Sequence, residues 1–337
     1  MQVAVGTFNL NNLFSRFNFR GEVTAVPEQP PIEFTSTFEL PEAMPEVEAE
    51  ELDPLEGGPA LREYRTYKGK LVKGKNPKDT QRVAKRILEI DVDVLALQEV
   101  EDVGTLRNFV RDYLDNAYRH IVLIEGNDPR LIDVALVSKL PLGQATSWQH
   151  ARHKREPTAL PIFSRDLLEV DVLAPGRTKR LFTVYVNHLK SQYTEAKSGP
   201  ARELELKEAA ERRGMQAETL IEIVERKQRP KGRYIVLGDM NDAPASKPLE
   251  SFKDLVDGLK QVEERGGTPN YADTPPPNKR WTHRFKESGK PPEYDLFDQV
   301  WLSPELAKRQ AGAFILRRTK LTRDGTDHDP AWVALEL

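Results

Sequence analysis

The segment "YIVLGDMNDAP", residues 234–244, carries an apolar run that stops on Asp239 and Asn241. Two residues apart on an extended backbone, a carboxylate and an amide project from one face. The same ending recurs. "VAVGTFNLNN" delivers Asn9 and Asn11, "VDVLALQEV" delivers Glu99, and "LFTVYVNHL" delivers Asn187 and His188. "YDLFDQVWLS" sets Asp298 ahead of an apolar run, and "GTDHDPAWVAL" sets Asp327 and His328 ahead of the last one. A lone buried carboxylate is costly. Carboxylates, amides and histidines at successive strand ends make sense if they converge on one rim. There, hard oxygen donors can hold a divalent cation and the remaining groups can surround a phosphate.

Each residue also has a plain structural reading. Asn9 and Asn11 suit turns, Glu99 can cap a strand, and isolated histidines such as His188 and His328 are often satisfied within a core. Asp239 with Asn241 can close a strand as an Asx-turn. As an ordered set, these readings lose to a shared site.

The elements that would position the set alternate along the chain. Strand-like runs fall at 3–10, 92–100, 120–125, 131–137, 167–173, 181–188, 234–237, 297–302, 313–316 and 331–335. Several are continuous Val/Ile/Leu blocks, as expected of strands covered on both faces. Helical periodicity predicts helices over 80–89, over "DVGTLRNFVRDYLD", and over about 201–229 with a possible break at Gly214. The pattern predicts one sheet-rich α/β domain.

Composition sets bounds. The chain has 337 residues, 38% hydrophobic and 31% charged, which describes a soluble globular protein. It has no cysteine, so disulfides, thiolate metal sites and cysteine nucleophiles are excluded. With no signal-peptide pattern at "MQVAVGTFNL" and no membrane-length apolar run, a cytoplasmic protein without stable membrane association is expected. The net charge of -3 is unevenly spread. Residues 21–61 hold eleven acidic side chains, seven prolines and no Lys or Arg. Without them, 50 basic residues face 42 acidic ones, a remainder of +8. Ten cations follow between Arg62 and Arg86. A polyanionic partner, above all nucleic acid, fits this remainder, while the acidic stretch reads as an exposed spacer or a tethered mimic of a polyanion. Protein partners are not specified by any motif.

Seven segments, "TFNLNNLF", "LALQEV", "RLIDVALVSKLPL", "VNHLKS", "VLGDMNDAP", "FDQVWLS" and "TDHDPAWV", resemble in order the motifs of the endonuclease/exonuclease/phosphatase superfamily. The resemblance spans the chain except for an acidic Pro/Glu-rich insertion at about 18–78. It implies one domain over 1–337 with a four-layer αββα sandwich, an α+β fold of two mixed sheets face to face with helices outside each. It implies Glu99 as the main Mg²⁺ ligand (Mn²⁺ and Ca²⁺ being alternatives), with Asn9, Asn11 and Asp327 beside it. His328 would contact the scissile phosphate and Asp298 would orient it. Asp239 and Asn241 would position or activate the attacking water, and His188 would stand near the leaving oxygen. Arg165, Asn187 and Lys190, in or beside these motifs, would contact phosphate.

The apurinic-endonuclease branch has a tyrosine near the His188 position and an aspartate near Asn11. The "NHL" found here leans toward the nuclease and phosphodiesterase branches, nearest to bacterial nuclease-type members. The expected activity is metal-dependent hydrolysis of DNA or RNA phosphodiester bonds. The alternatives are a phosphatase or phosphodiesterase of a small substrate or phospholipid headgroup, and an inactive nucleic-acid-binding module.

Two weaker signals remain. His150 and His153 are spaced for zinc on a helix but lack a third ligand. Trp281, His283 and Phe285 stand among cations and read either as a base-stacking platform or as hairpin packing.

Overall fold

The computed structural model describes residues 1–15, 26–27, 61–62, 74–156, 160–266, 280–286, 289–318 and 324–337. The acidic insertion expected at 18–78 therefore lies almost wholly outside the described residues.

Two mixed sheets carry the fold. The first contains β1 (Gln2–Leu13), β2 (Val94–Val100), β3 (His120–Leu123) and β4 (Asp133–Ser138). The second contains β5 (Leu142–Ser147), β6 (Leu167–Leu173), β7 (Arg180–His188), β8 (Tyr234–Asp239) and β9 (Val256–Asp257). Next come β10 (Glu263–Arg265), the hairpin of β11 (His283–Phe285) with β12 (Glu293–Asp295), β13 (Asp298–Leu302), β14 (Gln310–Leu316) and β15 (Ala331–Glu336). The first sheet runs β10-β14-β15-β1-β2-β4-β3 and the second β9-β13-β8-β7-β6-β5.

Side-chain alternation decides what each face meets. Val3 and Val5 of β1, Val94 and Ala96 of β2, Val184 and Val186 of β7, and Ile235 and Leu237 of β8 all point between the sheets. The opposite face of the first sheet, with Phe8, Leu10, Leu95, Leu97 and Trp332, packs against two helices. These are α1 (Pro77–Ile90) and α2 (Val103–Tyr113). The outer face of the second sheet, with Tyr185, Val236 and Trp301, packs against α3 (Gly199–Lys227) through Leu220, Ile223 and Val224. The layers are thus helix, sheet, sheet, helix, as the resemblance implies.

Helix ends follow their local chemistry. Asn76 caps α1 by accepting from Lys78 N–H, with Pro77 at the first position, and Asp102 caps α2 by accepting from Thr105 N–H. The break expected at Gly214 does not occur, and α3 runs through it. At Gly214 a Cβ would make only ordinary van der Waals contact with Pro248, at 3.7 Å, in the 3-10 turn over 247–254, so the helix accommodates the glycine without requiring it. The short helix α4 (Pro304–Ala307) follows β13. Among the described residues, no helix is long and apolar enough to cross a membrane.

A buried charge cluster fixes the approach to β15. Asp329 is fully buried and meets Arg86 of α1 at 2.7 Å, Arg318 at 3.1 Å and Arg317 at 3.4 Å. The same arginines bind backbone ahead of it: Arg86 donates to the His328 carbonyl at 3.0 Å, and Arg318 to the Asp327 carbonyl at 2.6 Å. These guanidinium groups hold the Asp329 carboxyl below its ordinary range despite its burial. Removing one partner of a buried charge network leaves the others uncompensated. Asp329→Asn is therefore expected to destabilise the fold by about 3–5 kcal/mol, read from urea denaturation midpoints. An unchanged midpoint would show that the cluster does not hold this segment.

Candidate active site

The core between the sheets ends at one rim in polar side chains. In the second sheet, His188 pairs in register with Asp239, and Asp239 with Asp298, so three strands bring an imidazole and two carboxylates into a row. In the first sheet, β1 lies between β2 and β15, which places Asn9, Glu99 and the 327–328 segment opposite that row. Asn9 Nδ2 crosses between the sheets to Asp239 Oδ2 at 2.9 Å and lies 3.5 Å from Glu99 Oε1.

Backbone irregularities aim several of these groups. Strict alternation on β2 would send Glu99 to the helix side, with Leu95 and Leu97. Instead the register shifts between Gln98 and Val100, and Glu99 adopts a left-handed φ of 61°. This bulge turns the carboxylate inward, where Oε2 accepts from Asn12 N–H at 3.0 Å. Left-handed backbone costs a non-glycine residue roughly 1–2 kcal/mol. Asn11 (φ 47°), Asn12 (φ 61°) and Asn241 (φ 52°) share the conformation, at the residue type that tolerates it best. At Gly238, φ is 142° and a Cβ would lie 1.9 Å from the Asn187 carbonyl oxygen. Only glycine lets β7 and β8 deliver His188 and Asp239 side by side.

The two asparagines of β1 brace carboxylates. Asn9 Oδ1 accepts from Asn11 N–H at 2.9 Å, and Asn11 Nδ2 donates to Asp327 Oδ1 at 2.7 Å. Asp239 Oδ1 accepts from Asn241 N–H at 2.8 Å, which is the Asx-turn geometry, and Asn241 Nδ2 donates to the Leu189 carbonyl at 3.1 Å.

His328 Nδ1 lies 2.6 Å from Asp298 Oδ2. Asp239 Oδ2 stands 3.6 Å from His188 Nε2 and 3.9 Å from His328 Nε2. The two imidazoles are pushed apart electrically. Burial opposes charge on His328, but the Asp298, Asp239 and Asp327 carboxylates prevail and raise its pKa to about 10. Burial also acts on His188, and the positive Arg165, His328 and Arg130 add to it, so its pKa falls well below the ordinary value. A cationic and a neutral imidazole thus flank one carboxylate. Burial, together with the charge of Asp298, raises the Asp239 carboxyl. Glu99 is raised by burial and by Asp327 and Asp239. Partial burial opposes ionisation of the half-exposed Asp327, yet His283, His328 and Asn11 hold it well below the usual carboxylate range.

The remaining expected residues divide. Arg165 is 3% exposed, donates to the Leu189 carbonyl at 3.1 Å and lies 3.2 Å from Asp128. Lys190 is half-buried, and burial with the charges of Arg165 and Arg130 lowers its pKa. Asn187 departs from expectation. It pairs with Leu167 and faces α3, opposite to His188, with Nδ2 donating to the Leu237 carbonyl at 3.0 Å. A fully buried side chain on that face cannot reach substrate.

His153 is buried against Glu218 at 3.0 Å, a structural histidine. Trp281 is 2% exposed, under Arg317 at 4.0 Å and edge-on to Tyr294, so it packs the hairpin and cannot stack on a base. Sequence reasoning missed Lys75, whose Nζ donates to the Asn11 carbonyl at 2.7 Å, and Asn12. It also missed Arg130, which pairs with Asp128 beside Arg165. Arg130, which opens "RLIDVALVSKLPL", and Asn12, inside "TFNLNNLF", carried a signal, and Lys75 did not.

Two mixed sheets face to face, helices outside, and a carboxylate-histidine cluster where the inner faces end: together these define a phosphoester hydrolase of the deoxyribonuclease I-like fold. The family model described as "Endonuclease/Exonuclease/phosphatase family" matches residues 69–328, and the chain belongs to that family. A family protein from Bacteroides thetaiotaomicron is similar in fold, with a TM-score of 0.57 at 12% identity, covering 99% of this chain and 98% of that one. An AP endonuclease from Archaeoglobus fulgidus gives 0.52 at 16% identity, over 77% and 94% of the two chains. Sphingomyelinase C from Streptomyces griseocarneus gives 0.51 at 15%, over 77% and 91%. No curated protein matches the chain in sequence.

The Asp298–His328 pair makes a direct prediction. A raised folded-state pKa means that the charged imidazole stabilises the fold fully below about 6.5, the unfolded value, and that this contribution fades as pH rises toward 10. Asp298→Asn removes a carboxylate partner, so the His328 titration, followed by NMR of labelled imidazole, should move down. The stability lost on raising pH should also be smaller and be complete at a lower pH. An unmoved titration would remove Asp298 as its cause.

Proposed function

We propose that the chain is a divalent-metal-dependent phosphodiesterase that hydrolyses nucleic-acid phosphodiester bonds by attack of an activated water. The observation that carries this reading is the Asp239 carboxylate set between a neutral and a cationic imidazole, with Glu99 and Asp327 within the same rim.

The donor set fits a hard cation: carboxylate and amide oxygens, no sulfur, and a half-buried Glu99 whose carboxyl is raised by desolvation and by anionic neighbours that a cation would relieve. Glu99 and Asp327 would hold Mg²⁺, or Mn²⁺ or Ca²⁺, while Asn9 and Asn11 keep those carboxylates in place. The bound ion would supply charge neutralisation on the phosphate. His328, kept cationic by Asp298, places a positive N–H against the equatorial oxygens, where charge gathers in the transition state. Asp239, with its raised pKa, is suited to accept the water's proton, and Asn241 N–H fixes the oxygen that does not. His188, neutral and buried, stands on the other side of Asp239, toward the leaving oxygen. Arg165, Lys190 and Arg130 gather on the His188 side as the positive flank for backbone phosphates.

The nucleic-acid assignment is supported by that flank and by the +8 remainder outside residues 21–61. We read the chain as one domain with an insertion near 18–78, because Lys75 N–H donates to the Phe14 carbonyl at 2.9 Å and so closes the segment's two ends on each other. The cysteine-free composition supports a cytoplasmic setting.

Labelled DNA, labelled RNA and a chromogenic phosphodiester, each with Mg²⁺, Mn²⁺ or EDTA, separate polymer from small-ester hydrolysis. Glu99→Gln should abolish metal-dependent turnover with the fold intact, since an amide is a poor ligand for a hard cation. Near-normal rates at saturating Mg²⁺ would sink the metal assignment. His328→Ala and Asp239→Asn should each lower kcat on the order of 10²-fold or more. Their combination should lose less than the product if they act as a unit, and a fully multiplicative double mutant would count against a common transition-state site.

A further inference from the structure

His283 lies in the hairpin β11–β12 and has no role in the hydrolysis described above. A backbone bridge pairs it with His328, and its ring stacks on Phe297 at 4.9 Å with 16° between planes. That stack fixes the imidazole's direction. Its Nε2 points at Asp327 Oδ2 from 3.6 Å, while Asp327 Oδ1 lies 3.9 Å from His328 Nε2. Both separations are too long for hydrogen bonds. Each involves a different Asp327 oxygen, and both exceed by a few tenths of an ångström the edge of a metal tetrahedron, roughly 3.4 Å for bonds of the zinc–imidazole and zinc–carboxylate type, so a small closure would bring the groups onto one ion. One ligand atom from each of His283, Asp327 and His328 can be chosen so that all lie within 4.8 Å of one another.

We propose that His283, Asp327 and His328 form a second cation site, selective for a borderline transition ion of the Zn²⁺ class, whose occupancy blocks hydrolysis. Two imidazoles with one carboxylate are a donor set that favours Zn²⁺, Co²⁺ or Ni²⁺ over Mg²⁺. The three groups leave a fourth position open, as at three-ligand zinc sites. The surroundings of a metal-bound histidine are present too. His328 Nδ1 is held by Asp298 at 2.6 Å, which leaves Nε2 as the coordinating atom, in a carboxylate–histidine arrangement. The carboxylates that stabilise the imidazolium also attract a divalent ion, so the ion replaces the proton on Nε2, which passes to solvent. The site is reachable, because the Asp327 side chain is 47% exposed.

Occupancy removes the N–H of His328 from the phosphate. This inhibitory half rests on the reading of His328 as the phosphate contact, whereas the binding half does not. Mg²⁺ at Glu99 and Zn²⁺ at His283 would share Asp327.

The test uses Co²⁺ as a spectroscopic probe on the whole chain, freed of metal. The wild type should show the visible ligand-field bands of four-coordinate Co²⁺, and Zn²⁺ should bleach them. His283→Phe, which keeps the stack on Phe297, should lose them, with an affinity loss of about 10²-fold or more, since even outer-shell partners are worth roughly 10–100-fold. Glu99→Gln should keep them. In Mg²⁺-supported hydrolysis, the Zn²⁺ concentration for half inhibition, taken relative to each variant's own zinc-free rate, should rise by a similar factor in His283→Phe. Absence of the bands in wild type, or their persistence in His283→Phe, would overturn the site. Bands that depend on His283 without any zinc inhibition would establish the site and overturn the phosphate role of His328 instead.

Discussion

The hydrogen bond from Asn9 Nδ2 to Asp239 Oδ2 at 2.9 Å joins a strand of one sheet to a strand of the other at the rim where their shared core ends. Most of what faces between the sheets is Val, Leu and Ile, and contacts of that kind have no direction. They set the spacing of the sheets but leave their relative slide loosely defined. A polar contact between a strand of each sheet, in a place too dry to tolerate an unpaired partner, defines it. The other polar groups follow from that point. Asn11 is held by Asn9, Asp327 by Asn11, and Asp239 is shared with two imidazoles.

Behind the rim, charge is arranged in depth. The outer carboxylates meet histidines, and the inner Asp329 meets three arginines. A buried ion cluster is not in itself a strong source of stability, because desolvation offsets much of its attraction. Its value here is positional. Arg86 and Arg318 bind the carbonyls of His328 and Asp327, so a helix on the outer face of the first sheet sets the position of side chains on the inner one.

Much of this was legible in the sequence, for reasons that also explain what was not. Strands buried on both faces announce themselves as apolar blocks, and Leu167–Leu173 was read to its ends. Leu142–Ser147 was not read at all, since "LGQATS" is a half-exposed edge strand with no apolar alternation. The site residues were legible because polar groups ending apolar strands are conspicuous. Their orientation was not. Period-two counting sends Glu99 to the wrong face unless the left-handed residue is known, and such a conformation has no signature in a glutamate. Asn187 erred the other way: it neighbours His188 in sequence, and on a strand neighbours face apart. His283 looked like a stacking residue among cations, and its partner Asp327 is 44 residues along the chain. Lys75 was one of ten cations in a run, with nothing to distinguish it.

The place of β1 has a temporal side. Residues 2–7 are hydrogen-bonded to residues 331–336, and Asn9 accepts through its carbonyl from Thr326. The strand at the centre of the first sheet therefore waits for nearly the whole chain before one of its edges is covered. At typical translation speeds, the delay is about 16–65 s. Pairings of this sequence separation form late because the chain entropy must be lost before the contact repays it. The half-sheet of β1, β2 and β4 can gather earlier against α1 and α2, but without 326–329 its rim carries carboxylates and amides with no imidazolium among them. The imidazolium and one carboxylate of this rim thus arrive with the last-made segment of the first sheet.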